Sequence, residues 1–291
     1  MKLHHLNCGT MCPPLLNLWG AGMGSFGGPA KLICHCLLLE LRAGLALVDT
    51  GLGTADVAAA RARLGGAFVT IAGPQLKLEE TALARVKQLG FEPSDVRHLL
   101  PTHLDLDHAG GLGDFPDAQV HIYALEHTAA MAPRTLRERE RYRPVQWAHP
   151  VRWQLHELGG DRWRGFDSVR ALPGTEDEVL IVPLAGHTRG HAGIAVKTAE
   201  GWLLHAGDAY FHRDEIHKQP ARCPPMLALF QTIVQVDRET RLANQRRLRE
   251  LVAAHADIKV VSAHDLQDFR ACQSPTQPDA SDKPADLSVS T

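Results

Sequence analysis

Four side chains able to bind a metal ion, His103, Asp105, Asp107 and His108, fall within six residues of the run 101–112, PTHLDLDHAGGL. The stretch Val96–Leu100 reads as a short buried strand that Pro101 stops. This puts the polar run in the turn leaving the strand's carboxyl end, where α/β sheets place ligands. In an extended loop, side chains two apart share a face, so His103, Asp105 and Asp107 can converge on one pocket while His108 turns aside. One ion would satisfy some of them; two would satisfy all. The plain alternative is a polar helix N-terminus with Asp105 and Asp107 set against the dipole. Imidazole and carboxylate interleaved over so short a span weigh against it.

Such a cluster needs further ligands from elsewhere, and three more strand ends offer them. The apolar run 178–184 leads into Ala-Gly-His187, the strand 202–205 into Ala-Gly-Asp208, and the strand 258–262 into Ala263 and His264. Each alone has an ordinary structural explanation; the four together in one chain do not. The elements that position them are expected to be strands over 1–7, 32–41, 45–48, 119–123 and 194–197, with helices over 76–89, 124–131 and 237–255. Residues 1–73 otherwise read as strands and turns. A glycine-rich loop at 20–28 lacks the lysine and following helix of a phosphate cradle and is expected to border the pocket.

In their order these residues resemble the metallo-β-lactamase superfamily of metal-dependent hydrolases: His-x-His-x-Asp-His, then Gly-His, then Gly-Asp, then a late histidine. The resemblance spans about residues 32–265. It implies an αββα sandwich of two mixed sheets flanked by helices, with a dinuclear metal centre at one edge. Site one would use His103, Asp105 and His187, and site two Asp107, His108 and His264, with Asp208 bridging. Asp49 matches the family's Asp-Thr-Gly turn, which supports the ligand loop. Asp107 and Asp208 are then the catalytic carboxylates. Acyl-homoserine lactonases carry a tyrosine shortly after the matching aspartate, one residue further along, which makes Tyr210 a candidate substrate-facing hydroxyl.

Asp105 departs from the pattern, since the family usually has histidine there and its flavodiiron branch a carboxylate. Two divalent ions would then be balanced in full by three carboxylates and a bridging hydroxide. Such a centre favours harder ions, so iron or manganese stand beside zinc. The implied function is a metal-dependent hydrolase in which a metal-bridging hydroxide attacks a lactone or other carboxylic ester. Phosphodiester, organophosphate or thioester hydrolysis on the same centre is the first alternative, and a non-hydrolytic diiron redox or binding protein the second.

With 291 residues, 44% of them hydrophobic, the chain suits one α/β domain over 1–271 and a disordered tail over 272–291 rich in proline, serine and aspartate. A formal charge of −2 gives no ground for nucleic-acid or membrane association. The expected partner is a small-molecule substrate, with a homodimer open. No secretory signal is visible, and the apolar run Leu32–Leu41 is too short to span a bilayer. Cys8 with Cys12 and Cys34 with Cys36 could in principle bind zinc, but the second pair sits in an apolar strand and no other pair has finger spacing. All six cysteines, Cys223 and Cys272 included, therefore read as reduced thiols of a cytoplasmic protein. The mixed charges of 134–143 read as a solvated helix. Segment 133–174, with Trp147, Trp153 and Trp163, is expected to supply substrate-facing loops. His191, His205, His212 and His217 read as structural, with His212 kept as a pocket candidate.

Overall fold

The computed structural model describes residues 1–14 and 31–273, so the 20–28 loop and most of the 272–291 tail lie outside the described residues. The first sheet orders β1 (Lys2–Met11), β2 (Leu32–Leu41), β3 (Gly44–Val48), β4 (Val96–Leu100), β5 (Gln119–Tyr123) and β6 (Arg152–His156) in sequence. The second runs from β7 (Asp161–Trp163) through β8 (Phe166–Ala171), β9 (Val179–Pro183), β10 (Ala192–Thr198) and β11 (Gly201–His205) to β12 (Ile258–Val261). Both are mixed: β1 to β3 pair antiparallel and β3 to β6 parallel, while only β11 and β12 pair parallel in the second.

Alternation along the strands explains the layering. Leu37, Leu39, Val48, Leu100 and Tyr123 face Ile181, Ile194, Val196 and Val261 between the sheets. The intervening residues Cys36, Leu38, Leu47, Leu99 and Val120 face outward under Ala82, Val86 and Ala129 of the helices Ala82–Gln88 and Ala124–Met131. On the second sheet Val182, Ala195, Leu204 and Val260 are covered by Leu248 and Leu251 of the helix Arg238–Ala254. Strands apolar on both faces can be stable only at the centre of such a sandwich, where each buried leucine or valine contributes roughly 1.5–3 kcal/mol.

Strand direction then fixes where the site must be. β3 and β4 are parallel, and β9, β11 and β12 share one direction. Their carboxyl ends therefore collect at one edge of each sheet, and the hydrogen bond from Ala192 N–H to the Thr102 carbonyl, 2.8 Å, joins the two edges.

Several expectations are corrected. Residues 54–72, expected as strand and turn, form three short helices, Thr54–Ala58, Ala60–Leu64 and Gly66–Ala72. The helix expected over 76–89 starts only at Ala82, where the Thr81 side chain accepts from Ala84 N–H; a 3-10 turn, Leu78–Glu80, precedes it. The helix Pro225–Val234 was not foreseen. The tryptophans of 133–174 pack against the two sheets. Trp147 and Trp153 pack against the outer core of the first sheet, and Trp163 meets Trp202 edge to face, centroids 5.3 Å apart, on the second. Cys272 packs against the inter-sheet core, so ordered packing continues past residue 271. All six cysteines are free.

Candidate metal centre

The loops that leave β4, β9, β11 and β12 bring His103, Asp105, Asp107, His108, His187, Asp208 and His264 together, with Asp107 and His108 on a one-turn helix, Leu106–Ala109, where an extended loop was expected. Three groups have ligand atoms within 4.8 Å of one another: His103, Asp105 and His187; Asp107, His108 and His264; and His103, His108 and Asp208. Asp208 stands between the first two. Its Oδ2 lies 3.4 Å from His187 Nε2 and 3.9 Å from His103 Nε2. Its Oδ1 lies 3.2 Å from His264 Nε2 and 3.3 Å from His108 Nε2. The side chains are almost wholly buried except for Asp105 and Asp107, 16% and 11% exposed, which places the open face of the cluster on their side.

What surrounds the histidines decides which nitrogen faces inward. His264 Nδ1 donates to the Ile33 carbonyl at 2.8 Å. His108 Nδ1 meets Asp49 Oδ2 at 2.8 Å, and His103 Nδ1 meets the Thr102 hydroxyl at 2.9 Å. With Nδ1–H directed outward, each Nε2 turns a lone pair into the cluster, the orientation that a carboxylate or carbonyl behind a ligating histidine enforces. His103 Nε2, His108 Nε2 and Asp208 Oδ1 are buried without any hydrogen-bond partner. Polar atoms so placed carry a desolvation cost that a cation would relieve. The residues therefore fit divalent metal, and the chain carries His/Asp metal sites.

Residues behind the ligands hold the loops. Asp49, in a left-handed turn at φ 55°, accepts from Thr102 N–H at 2.7 Å as well as facing His108. His191 Nε2 accepts from Asp208 N–H at 2.9 Å while its Nδ1 donates to the Leu184 carbonyl, which fixes its tautomer and the Asp208 backbone. Glu126, fully buried, accepts from Leu104 N–H, Gly190 N–H and the Tyr142 hydroxyl, tying the loop of His103 to that of His187. Gly190 leaves no room for a side chain there: an added Cβ would lie 2.3 Å from Glu126 N.

Electrostatics follow from burial against paired charge. Burial alone would raise Asp208, yet the surrounding His264, His108 and His187 hold its carboxyl well below the usual range. Burial and then Arg141 push His187 down to about 4. Asp105 is likewise held low against its burial by the Arg141 guanidinium and His103.

Two candidate pocket residues are not in the cluster. Tyr210, expected to face substrate, is fully buried in the core of the second sheet, and its hydroxyl donates to Asp268 at 2.9 Å. The chain turns after Asp208, so a side chain two positions on faces the helix Leu266–Arg270 rather than the open edge. His212 accepts from Asp214 N–H within its own turn. Phe211 does reach the site, stacking on His264 with centroids 5.2 Å apart, and Phe230 meets it edge to face. Arg141, Glu126 and Phe211 were not foreseen from sequence. Among the described residues no helix is long and apolar enough to cross a membrane.

Comparison with known proteins agrees with this geometry. The family model of the metallo-beta-lactamase superfamily matches residues 30–255. A probable metallo-hydrolase of Mycobacterium tuberculosis is 41% identical over 266 residues, covering 91% of this chain and 80% of that protein. An N-acyl homoserine lactonase of Bacillus thuringiensis is 27% identical over 252 residues, 84% of this chain and 87% of the lactonase. Among solved structures, an N-acyl homoserine lactone hydrolase with N-hexanoyl-L-homoserine bound at its catalytic metal centre superposes with a TM-score of 0.69 at 23% identity, over 95% of this chain and 98% of that one.

Proposed function

The chain belongs to the metallo-β-lactamase superfamily of metal-dependent hydrolases, and we propose that it opens a lactone or other carboxylic ester at a pair of divalent ions, zinc first among them. His103, Asp105 and His187 would hold one ion and Asp107, His108 and His264 the other, with Asp208 shared. The observation that carries a two-ion reading is the division of the Asp208 carboxylate, Oδ1 toward His108 and His264, Oδ2 toward His103 and His187. When bound, the ions supply a nucleophile from water near neutral pH and polarise the substrate oxygen.

The rest falls to the chain's own groups. Asp107, 11% exposed on the open side, would take a proton from the attacking water and return it to the departing alkoxide. Asp49, Thr102, His191 and Glu126 keep the ligand loops from relaxing, so the site is formed before substrate arrives. Phe211, buried in the core and met by Phe230, stacks on His264 and holds that ring from its apolar side. The likeness to N-acyl homoserine lactonases supports the choice of a lactone or ester.

The test is a substrate panel on metal-loaded protein: an N-acyl homoserine lactone, a simple γ-lactone, an aryl ester, a phosphodiester, a phosphotriester and a glutathione thioester. Ring opening or ester cleavage should exceed the other reactions in kcat/KM. Cleavage confined to the phosphorus or thioester substrates would sink the ester reading while leaving the hydrolase.

A further inference from the structure

Arg141 ends the helix Leu136–Arg141, in a run whose sequence reads as a solvated charged face, yet its side chain is only 12% exposed and enters the wall of the metal centre. Nε lies 3.1 Å from Asp105 Oδ1, an ion pair rather than an aligned hydrogen bond, since that oxygen has no hydrogen-bond partner. Nη1 donates to the His187 carbonyl at 2.9 Å, and Nη2 donates to the Val234 carbonyl. The other oxygen of the same carboxylate, Oδ2, lies 3.0 Å from His187 Nε2 and 3.3 Å from His103 Nε2. Asp105 thus divides its oxygens, one to a guanidinium and one to the imidazoles.

A guanidinium does not deprotonate in a protein, and a buried one is tolerated only when paired. Asp105 is the carboxylate it meets. Removing Asp105 would strand a buried cation facing two more cations, and removing Arg141 would leave the Asp105 carboxylate unheld, with either oxygen free to turn inward. Together the two are neutral. With Oδ1 turned to Arg141, Asp105 presents a single donor atom inward, as a neutral imidazole would.

We propose that Arg141 is a positioning residue that, with Asp105, forms one neutral ligand unit for the first metal, the guanidinium cancelling the carboxylate's charge and leaving Oδ2 as the donor. The inference rests on the reading of His103, Asp105 and His187 as a metal site. It also revises the expected metal preference. Counting carboxylates alone favours iron or manganese; counting Arg141 as well restores the charge of a site with imidazole at 105, which suits zinc.

The experiment is a double-mutant cycle on the full chain with wild type, Asp105→His, Arg141→Met and the double variant. Zinc affinity is measured by chelator competition, and coordination by the visible spectrum of the cobalt-loaded proteins. Each single change should weaken the first site on the order of 10- to 100-fold. The double variant, again a neutral one-atom donor with no stranded charge, should recover to within about threefold of wild type and regain the wild-type cobalt band. Losses that add in the double variant, or wild-type affinity in Arg141→Met, overturn the proposal. Arg141→Lys covers the case in which methionine unfolds the chain. Asp105→His in that background should again weaken zinc by more than about tenfold, because the ammonium is stranded as the guanidinium was; unchanged affinity there overturns it too. Additive losses in a wild type that binds two ions remove the pairing alone, whereas a wild type that binds none removes the site reading beneath it.

Discussion

Oδ2 of Asp49 lies 2.8 Å from Nδ1 of His108, on the side of the ring away from the metal cluster. The same carboxylate accepts from the Thr102 backbone and hydroxyl, so one residue at the end of β3 sets both the tautomer of a ligand and the path of the ligand loop after β4. Asp49→Asn tolerates the left-handed turn and preserves shape but offers no second carboxylate oxygen. It should weaken metal at the Asp107, His108 and His264 group on the order of 10- to 100-fold with far-ultraviolet circular dichroism unchanged. Wild-type metal content at limiting zinc would show that Asp49 does not orient His108.

Tyr210→Phe separates packing from chemistry. The hydroxyl donates to Asp268, whose carboxyl burial raises to about 6. Removing it leaves Asp268 its bond from Ser262 N–H, so the loss should be that of one buried hydrogen bond, about 0.5–1.5 kcal/mol in urea unfolding. Turnover should stay within about twofold, since nothing in the metal cluster moves. A tenfold or greater fall in kcat without a fall in stability would return the hydroxyl to the substrate.

What the sequence disclosed and what it hid divide along contact range. The ligand loops were legible because each is a local event, an apolar strand ending in a small residue and a histidine or aspartate. Asp49 was legible for the same reason. Arg141 was not, because its partner Asp105 is distant in sequence and its own surroundings, alternating arginine and glutamate, have the pattern of a solvated helix. Tyr210 misled by proximity to Asp208 in a chain that reverses between them. The helices over 54–72 were hidden by their shortness: Gly65 divides two of them, and the N-cap residue of each is glycine or alanine, with no side chain to accept a bond.

Acid should destabilise the protein through a row of histidines on neighbouring strands of the first sheet, none of them in the metal cluster. His98 Nδ1 meets His121 Nε2 at 3.0 Å, and His121 Nδ1 meets His156 Nε2 at 3.2 Å, across β4, β5 and β6. Burial first, then the neighbouring His98 and His156, depress His121 to about 3. The unfolded chain therefore binds a proton that the folded one refuses. Stability should be full above about pH 6.5 and fall as pH drops from there toward 3. His121→Gln should flatten that slope in denaturant titrations across pH 4 to about 7. An unchanged slope would mean that the row titrates alike in both states.

Removing Asp208 should affect both halves of the centre at once. Its two oxygens face different histidine pairs, so Asp208→Ala deprives each of the flanking groups of a carboxylate, whereas Asp107→Ala deprives only the His108 and His264 side. Metal that binds the folded chain stabilises it by mass action, about 2.7 kcal/mol for one site at a hundredfold excess over Kd. Wild type should therefore lose melting temperature on chelation and regain it with zinc. Asp208→Ala should lose most of that response, and Asp107→Ala about half. Elemental content read alongside the melts gives the decisive figure: two ions per chain in wild type, falling toward none in Asp208→Ala and toward one in Asp107→Ala. If Asp208→Ala keeps one tightly bound ion and half of the thermal response, Asp208 serves one group only and the shared-carboxylate reading fails.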